Sequence, residues 1–417
     1  MSEKKDVLFL CQYFYPEYIS SATLPYDTAL ALGKSGFSVG ALCGYPKEYS
    51  ASEKVPLKEC INGIDIKRLK YIQLKRSNII GRLTNYFSFT FSVAINFMEL
   101  KKYKSIIVYS NPPILPYIAA IANKFFGTKV IFVSYDIYPE IAHVTNMISK
   151  DSLMSKVMRG LNKSIFKRVN HVIALSNEMK EYLLNIRTTL SSSQITVIPN
   201  WYEDKGVTEL TKSLNNNLFQ GIKNEDNLVV SYFGNMGIAQ DLDTLLDTIR
   251  LLKNDDGVQF VFAGHGNKME YLKMTIKSEN LNNVHIFDFL HDQDFQDALN
   301  ISDCFIVSLA GGLTGLAVPS KTYSYMMAGK PIIAVIGEES DIAKDLHSNN
   351  AGYSIQIGES QKFLHAIQEL RNDKEKRVLM GRNCREIYLE KYTVEKCTGQ
   401  YIKMFKKVLE GDSNVQR

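Results

Sequence analysis

The chain has 417 residues, of which 45% are hydrophobic, 11% are aromatic and 22% are charged, and its formal net charge is +5. This length exceeds what one hydrophobic core usually supports, so we expect two sizeable domains. The ordinary glycine and proline contents and the many aromatic residues exclude a collagen, a coiled coil and a disordered chain. The mild net charge gives no reason to expect nucleic-acid binding.

Six cysteines are scattered along the chain, with no C-x-x-C pair and no metal-ligand spacing to histidine. Such thiols are typical of reduced core residues in a cytoplasmic protein. The first apolar run is broken by Gln12 and flanked by acidic residues, so it predicts a β-strand and not a signal peptide. No stretch has 18 uninterrupted apolar residues, so we expect no membrane-spanning helix.

Short β-branched or aromatic runs alternate with helical segments along the whole chain. The first series of runs is DVLFLCQYF, FSVGALCG, SIIVYS, KVIFVSY and HVIALS. The second series is NLVVSYFG, VQFVFAG, NVHIFDF, DCFIVSL and KPIIAVIG. Nearly continuous apolar strands between helices predict parallel sheets that are buried on both faces. The sequence therefore predicts an α/β protein with two doubly wound, Rossmann-like domains facing across a cleft.

A polar, Asn-rich segment after Trp201 separates the two series. We place the N-terminal domain at residues 1–203 and the C-terminal domain at 204–388. The last segment, 389–417, has the alternation of charged and apolar residues of an amphipathic helix, which we expect to cross back to the N-terminal domain.

Ligands of open α/β sheets bind beyond the carboxyl ends of the strands, so we searched those loops. The loop after DCFIVSL contains three glycines, and Pro319 and Ser320 then open a helix that Gly329 closes. We predict Ser320 as the N-cap of this helix. Lys321 in the first turn opposes the helix dipole, which favours a phosphate ligand over a plain solvated lysine.

Two further glycine turns follow strands of the second series. Gly234 and Gly237 form the first, and Gly264, His265 and Gly266 form the second. Either turn alone could be purely structural, and His265 could be merely exposed. Together with the helix of Lys321, they predict a nucleotide-diphosphate pocket that has neither a Walker lysine nor G-x-G-x-x-G spacing.

The order of these motifs resembles that of the family-4 retaining glycosyltransferases with the GT-B fold, of the bacterial type that builds capsule, O-antigen or exopolysaccharide. In the second half, the resemblance rests on YFGNMG, FAGHG, SDCFIVSL and PSKTYSYMMAGKPIIA. In the first half, it rests on YPE, GFSVGALCGYP, INGIDIKRL, SYDIYPE, HVIALSNEMKEYL and ITVIPNW. It covers nearly the whole chain in the same order, which is more specific than any one motif.

The resemblance implies a nucleotide-diphosphate sugar as donor, with a UDP-sugar as the first expectation, and no cofactor besides this substrate. The implied donor-binding residues are Gly234, Asn235, Met236, Gly237, Gly264, His265, Leu290, Pro319, Ser320, Lys321, Thr322 and Ser324. Backbone groups of Leu290 are expected to hold the base, and Lys321 the leaving diphosphate. Asn235 and Gln240 stand where many relatives carry an arginine and a lysine, and Ser324 stands in place of the glutamate that binds ribose.

The acceptor is expected to bind to the N-terminal domain. Glu17, Ser20 and Ser21 lie on the loop and helix start after the first strand, where Glu17 is either an acceptor contact or a plain loop carboxylate. Tyr135, Asp136 and Glu140 follow a later strand. Asp136 could orient the acceptor hydroxyl or act as a base, and its alternative is a structural N-cap.

The resemblance also implies a front-face reaction without an enzyme nucleophile, in which the departing phosphate accepts the proton of the acceptor. No D-x-D or histidine cluster indicates a metal ion, so we expect none. Two other functions remain open. One is a catalytically silent nucleotide-sugar-binding subunit, favoured by Asn235, Gln240 and Ser324. The other is a GT-B nucleotide-sugar epimerase, for which acid/base residues are few.

Residues 65–104 contain nine basic and two acidic residues, a net charge of +7 that exceeds the charge of the whole chain. Between the charges runs NIIGRLTNYFSFTFSVAINFM, which we predict to be helical. This segment is either a solvated face over a core helix or a contact with an anionic membrane surface. We therefore expect a cytoplasmic enzyme, peripheral to the inner face of the cell membrane, that acts on a lipid-linked saccharide.

Overall fold

The computed structural model describes residues 3–46, 54–74, 79–206 and 210–410. The chain divides into two compact units. The first unit comprises Met1–Pro199 and Glu395–Arg417, and the second comprises Asn200–Val394. The basic residues Lys75 and Arg76, which belong to the predicted membrane segment, lie outside the described residues.

The first unit is built on an eight-stranded sheet with the order β3-β4-β2-β1-β5-β6-β7-β8. Its strands are β1 (Lys5–Cys11), β2 (Val39–Gly44), β3 (Lys58–Ile61), β4 (Ile64–Leu69), β5 (Tyr103–Tyr109), β6 (Lys129–Ser134), β7 (His171–Ala174) and β8 (Ile195–Val197). The central strands are apolar and buried along most of their length, as the sequence predicts for parallel strands covered on both faces.

One pair in this sheet departs from the predicted all-parallel arrangement. β3 and β4 are antiparallel, with Ile61 opposite Ile64. Asn62 and Gly63 connect them with φ of 50° and 80°, which is the left-handed conformation of a two-residue hairpin turn. The sequence INGI carries this hairpin signal, so the exception has a local cause.

Helices cover both faces of the first sheet. They are α1 (Ser20–Lys34), α2 (Ile79–Ile95), α3 (Leu115–Phe126), α4 (Glu140–Val144), α5 (Leu153–Phe166) and α6 (Asn177–Ile186). The structure confirms the helix predicted in the Phe-rich segment as α2. α3 packs against β5 and β6 and contacts both α2 and α5, so these three helices form one layer.

The second unit has a six-stranded sheet with the order β11-β10-β9-β12-β13-β14, and the strand pairs of its described residues are all parallel. Its strands are β9 (Leu228–Asn235), β10 (Val258–His265), β11 (Val284–Phe287), β12 (Cys304–Ser308), β13 (Ile332–Val335) and β14 (Gly352–Ile355). Its helices are α7 (Leu210–Leu214), α8 (Asp243–Leu251), α9 (Met269–Glu279), α10 (Asp292–Ile301), α11 (Lys321–Met327), α12 (Asp341–Ser348), α13 (Ser360–Asn372) and α14 (Lys374–Lys391). This is the doubly wound, Rossmann-like arrangement that the sequence predicts.

The end of the chain forms two helices rather than the one predicted. α14 ends at Lys391, and α15 (Val394–Glu410) follows after a short break. α15 belongs to the first unit, where Phe405 packs edge-on against Phe37 with ring centroids 4.9 Å apart. Lys129 Nζ also donates a hydrogen bond to the Val408 carbonyl at 2.6 Å. The last helix therefore returns to the first unit because both an apolar contact and a helix-end hydrogen bond hold it there.

Candidate active site

The strand order of the second sheet reverses between β9 and β12, and loops that leave such a point diverge and open a binding crevice. The turn Gly234–Gly237 begins at the end of β9, and α11 comes after β12. The structure brings these two predicted elements together: a Cβ placed on Gly234 would lie 3.6 Å from Lys321 Nζ. Lys321 and the first glycine turn therefore form one site.

Lys321 has an unusual environment for a lysine. Its Nζ is buried and has no hydrogen-bond partner among the described residues. The same atom lies 3.7 Å from the centroid of the Tyr232 ring. Burial lowers the pKa of Lys321 to about 7. A buried amine with unused N–H donors carries a desolvation cost that an anionic ligand would relieve, so this atom is prepared to bind an anion.

The glycines of the second turn are required by close packing against the first turn. A Cβ on Gly264 would lie 2.0 Å from the Gly234 carbonyl oxygen, and one on Gly266 would lie 2.3 Å from the Met236 carbonyl oxygen. These glycines also have φ of +146° and +138°. The two turns therefore pack directly on each other, and only glycine fits where they touch.

Two amides of the first turn are already used. The Gly237 N–H donates to Gln240 Oε1 at 2.9 Å, and the Met236 N–H donates to the His265 carbonyl at 2.7 Å. The Met236 side chain is fully buried in the core. The sequence predicts amides that face a phosphate, but in this structure these two make internal hydrogen bonds, which leaves Lys321 as the group with unused donors.

The start of α11 differs from the prediction in one respect. Ser320 occupies the N-cap position, as predicted, but its side chain makes no capping hydrogen bond. Instead, Thr322 Oγ1 donates to the Pro319 carbonyl and Ser324 Oγ donates to the Lys321 carbonyl, both at 2.8 Å. Backbone φ and ψ in the helical region at Ser320 turn its side chain away from the cap geometry. Gly329 ends the helix with φ of +66°, as predicted.

An aromatic pair lies beyond β10 and β11. His265 is exposed, and Phe289 keeps 42% of its surface exposed. Their rings are stacked, with centroids 5.5 Å apart and planes 20° apart. Leu290, which is predicted to hold the base through its backbone, is the next residue. An exposed flat aromatic surface at this position suits a nucleotide base.

In the first unit, Asp136 lies at the carboxyl edge of the sheet. Ser110 Oγ accepts hydrogen bonds from the Tyr135 N–H at 3.0 Å and the Asp136 N–H at 3.1 Å. Asp136, Ser110 and Ser134 line a cavity of about 20 Å³, which has room for a single water molecule. Burial raises the pKa of Asp136 to about 6. The N-cap alternative is wrong, because the N-cap residue of α4 is Pro139.

The other predicted acceptor residues have different surroundings. Both carboxylate oxygens of Glu140 accept hydrogen bonds from Arg187 at 2.8 Å, so this side chain already has a structural partner. The Tyr135 ring packs against Tyr109 with centroids 5.2 Å apart, and burial raises the pKa of Tyr135 well above its ordinary value. An acceptor role for either residue stays a prediction.

The loop after β1 brings the remaining three together. Glu17 is buried, Ser21 is half-buried, and Ser20 is exposed and is the first residue of α1. Arg68 holds this loop, because its Nη2 donates to the Tyr15 carbonyl at 2.9 Å. The loop is therefore fixed from β4, which the sequence did not predict.

Three residues with unusual surroundings were missed by sequence reasoning. Tyr232 contacts Lys321, and because this contact joins residues far apart in the sequence, no local pattern indicates it. Gln12 and Ser134 are each 1% exposed, and their side-chain polar atoms have no hydrogen-bond partner among the described residues. Gln12 and Ser134 both lie at the carboxyl ends of strands, and this position is the signal by which the sequence could have identified them.

Among the described residues, no group of three His, Cys, Asp or Glu side chains is placed to hold a metal ion. Within the same ranges, no helix combines the length and apolar character needed to cross a membrane.

The two units, each built on a wholly or mostly parallel sheet between helices, define the class as a two-domain, Rossmann-like α/β protein. Residues 22–205 match the family model for glycosyltransferase family 4, and residues 215–387 match the model for glycosyl transferases group 1. Together these models span most of the chain, which is a family-4 glycosyltransferase.

The chain is similar to known proteins of this class. It is 24% identical over 313 residues to a probable glycosyltransferase, WbjE, of Pseudomonas aeruginosa, which covers 74% of this chain and 76% of that protein. The solved structure of HepE from Anabaena with UDP and glucose has a TM-score of 0.72 at 17% identity and covers 96% of this chain and 99% of HepE. Sucrose-phosphate synthase from Thermosynechococcus elongatus has a TM-score of 0.72 at 14% identity and covers 98% of this chain and 100% of that one. At these identities, the two structures show the fold alone.

The first prediction concerns Lys321. Replacing it with methionine removes the unused donors, and we expect UDP affinity to fall about tenfold to a hundredfold, because a charge-assisted hydrogen bond contributes about 1.5–3 kcal/mol. The same variant should melt at a higher temperature at pH 7. The pKa of Lys321 is lowered on folding, so its destabilising effect is full below pH 7 and lessens as the pH rises toward 10.5. Calorimetric titration and thermal denaturation measure the two effects.

Lys330 is the matched control, because it is also a lysine whose pKa burial lowers in the same unit. Lys330→Met should raise the melting temperature but leave UDP affinity unchanged. Equal loss of affinity in both variants would contradict a specific role for Lys321.

The second prediction concerns Asp136. Asp136→Asn should lower transferase activity at least tenfold and raise the melting temperature by about 2–5 °C at pH 7.5. The pKa is raised from 3.8 to about 6 on folding, so the charged form destabilises the fold increasingly from pH 4 to pH 6 and fully above it. The difference in melting temperature between the variant and the wild type should therefore shrink toward pH 4. A difference that is the same at pH 4.5 and pH 7.5 would contradict this.

Proposed function

We propose that the protein is a retaining glycosyltransferase that moves a sugar from a UDP-sugar to a lipid-linked saccharide. The observation that carries the proposal is the buried, unpartnered Lys321 Nζ beside the glycine turn at the strand-order reversal of the second unit. A diphosphate would satisfy its donors. No sugar hydroxyl would relieve the cost of a buried cation as well as a phosphate does.

In the proposed reaction, the bond between the anomeric carbon and the donor phosphate oxygen breaks, and the acceptor oxygen bonds to the same face of that carbon. The proton of the acceptor hydroxyl passes to the departing phosphate. Lys321 stabilises the negative charge that grows on the diphosphate. Asp136 orients the acceptor hydroxyl through a hydrogen bond, a role for which its half-buried carboxylate has free acceptor capacity. The mechanism uses no metal ion, so activity should survive chelation.

Two observations support a donor in which the sugar is attached to a nucleotide. The stacked pair of His265 and Phe289 offers an aromatic surface to a base. HepE, which shares the fold, was solved with UDP and glucose. Ser324, which replaces the expected ribose-binding glutamate, donates its hydroxyl to the Lys321 carbonyl, so a ribose would compete for it or bind elsewhere.

The proposed acceptor places the enzyme at the inner face of the cell membrane. Along α2, the apolar side chains Ile80, Phe87, Phe91 and Ile95 are 55–69% exposed, a row at helical spacing. On α5, which lies in the same helix layer, Leu153 is 79% exposed among the exposed basic residues Lys156, Arg159 and Lys163. Exposed apolar residues beside basic ones fit an anionic lipid surface.

The third prediction tests the reaction. With a polyprenyl-diphosphate sugar as acceptor and a panel of UDP-, GDP- and CDP-sugars, we expect UDP release that depends on acceptor, with retention of the anomeric configuration by NMR and no loss in EDTA. UDP binding without release would favour a silent nucleotide-sugar-binding subunit. Conversion of the donor without acceptor would favour an epimerase.

The fourth prediction tests the membrane surface. Vesicles with 30% anionic lipid should bind the wild-type protein, and neutral vesicles should not. Neutralising Lys75, Arg76 and Arg82 to glutamine should weaken binding at least tenfold, at about 1 kcal/mol for each charge near the surface. Phe87→Ser with Phe91→Ser should weaken it in the same vesicles.

The control triple variant replaces exposed lysines of the second unit, Lys253, Lys277 and Lys374, with glutamine. It changes the net charge equally and should bind as the wild type does. Equal loss of vesicle binding in both triple variants would show a nonspecific charge effect. Unchanged binding in the variant of Lys75, Arg76 and Arg82 would overturn the proposed membrane surface.

A further inference from the structure

We propose that Tyr232 is a positioning residue for the donor, because its one side chain holds both parts of the anion site. Its ring holds Lys321, and its hydroxyl holds the glycine turn. This inference rests on the proposed function, in which Lys321 binds the donor diphosphate.

The contact between Tyr232 and Lys321 is the first part. Tyr232 lies in β9 and is fully buried, and Lys321 Nζ stands 3.7 Å from the centroid of its ring. The face of an aromatic ring attracts a cation, and the attraction is strongest where water is excluded. Because no described residue accepts a hydrogen bond from Nζ, the ring is the group that fixes this flexible side chain.

The hydroxyl of Tyr232 makes the second contact. It donates a hydrogen bond to the Asn235 carbonyl at 2.8 Å, within the turn that follows β9. The Phe262 ring packs beside Tyr232 with centroids 6.0 Å apart. The ring therefore cannot shift freely, and the turn and the lysine are held at a fixed separation.

Fixing a lysine side chain before the ligand arrives lowers the entropic cost of ordering it on binding. Only one side of the ammonium group faces the ring, and a lysine has three N–H donors for the phosphate oxygens. Without the ring, Lys321 would sample other rotamers. Donor binding should then weaken, and the loss should depend on the presence of the lysine.

The experiment is a double-mutant cycle on UDP affinity, measured by calorimetric titration of the full-length protein. Tyr232→Leu should weaken UDP binding about tenfold. In the Lys321→Met background, the same replacement should change UDP affinity less than twofold, because residues that act through each other are not additive. A purely structural role of Tyr232 would give the same loss in both backgrounds.

Two further variants separate the ring from the hydroxyl and from core packing. Tyr232→Phe keeps the ring. It should therefore bind UDP with most of the affinity that Tyr232→Leu loses. Leu370→Ala removes core volume in the same unit, on α13, and should lower the melting temperature without changing UDP affinity. Tyr232→Met replaces the leucine variant if that variant does not fold, because methionine fills irregular space.

The outcomes distinguish this inference from the proposed function. If Lys321→Met leaves UDP affinity unchanged, the proposed role of the lysine fails. If Lys321→Met weakens binding but the Tyr232 effect is additive, absent or opposite in sign, only the present inference fails. Loss of affinity in Leu370→Ala equal to that in Tyr232→Leu would also overturn it.

Discussion

The second unit depends on keeping a lysine amine in an apolar site with none of its donors used. That position is fixed from two sides. Tyr325 on α11 donates its hydroxyl to the Phe233 carbonyl at 3.0 Å and accepts from the Phe233 N–H at 2.7 Å, which ties the helix to β9. Lys321, at the start of the same helix, is thereby brought over Tyr232 on the same strand. The cost of the buried amine is met by packing elsewhere, which is typical of a binding site that is incomplete without its ligand.

The substitutions that distinguish this chain from many relatives can be understood around that lysine. Gln240 does not supply the charge of the lysine found there in relatives. Instead, its side-chain oxygen accepts a hydrogen bond from the Gly237 N–H, and its main-chain carbonyl accepts one from Lys268 Nζ at 2.9 Å. Gln240 therefore stabilises the loop. In the proposed function, charge compensation for the diphosphate is then concentrated in Lys321, a single group whose pKa burial lowers to about 7. Anion binding in this chain should consequently depend more strongly on the surroundings of Lys321 than it would in a site that also contained the arginine and the lysine of those relatives.

Much of the architecture could be predicted because the signals are local. The buried apolar runs gave the strands, the glycine turns gave the loops at the strand ends, and Asn62-Gly63 carried a hairpin signal that the parallel pattern overrode in our prediction. The break between α14 and α15 was missed because charged and apolar residues alternate across it without a proline or glycine. The side-chain pairs could not be predicted, since Lys321 with Tyr232, Glu140 with Arg187 and the loop of Glu17 with Arg68 join residues far apart in sequence. The position of Glu140 after a strand suggested an acceptor contact, and the structure gives its carboxylate an arginine partner.

The distribution of charge ties the two halves of the proposed reaction to different physical environments. Near the carboxyl edge of the first sheet, buried side-chain atoms of Gln12, Tyr109 and Ser134 have no hydrogen-bond partner among the described residues, and Arg187, a cation that lines the cavity of Asp136, is paired with Glu140. Such groups match the hydroxyls of an uncharged sugar better than a phosphate. The exposed cations Lys156, Arg159 and Lys163 lie instead on α5, in the same helix layer as the apolar row of α2. An acceptor that carries both a saccharide and a lipid diphosphate would find its neutral part matched at the sheet edge and its anionic, apolar part matched at the proposed membrane surface.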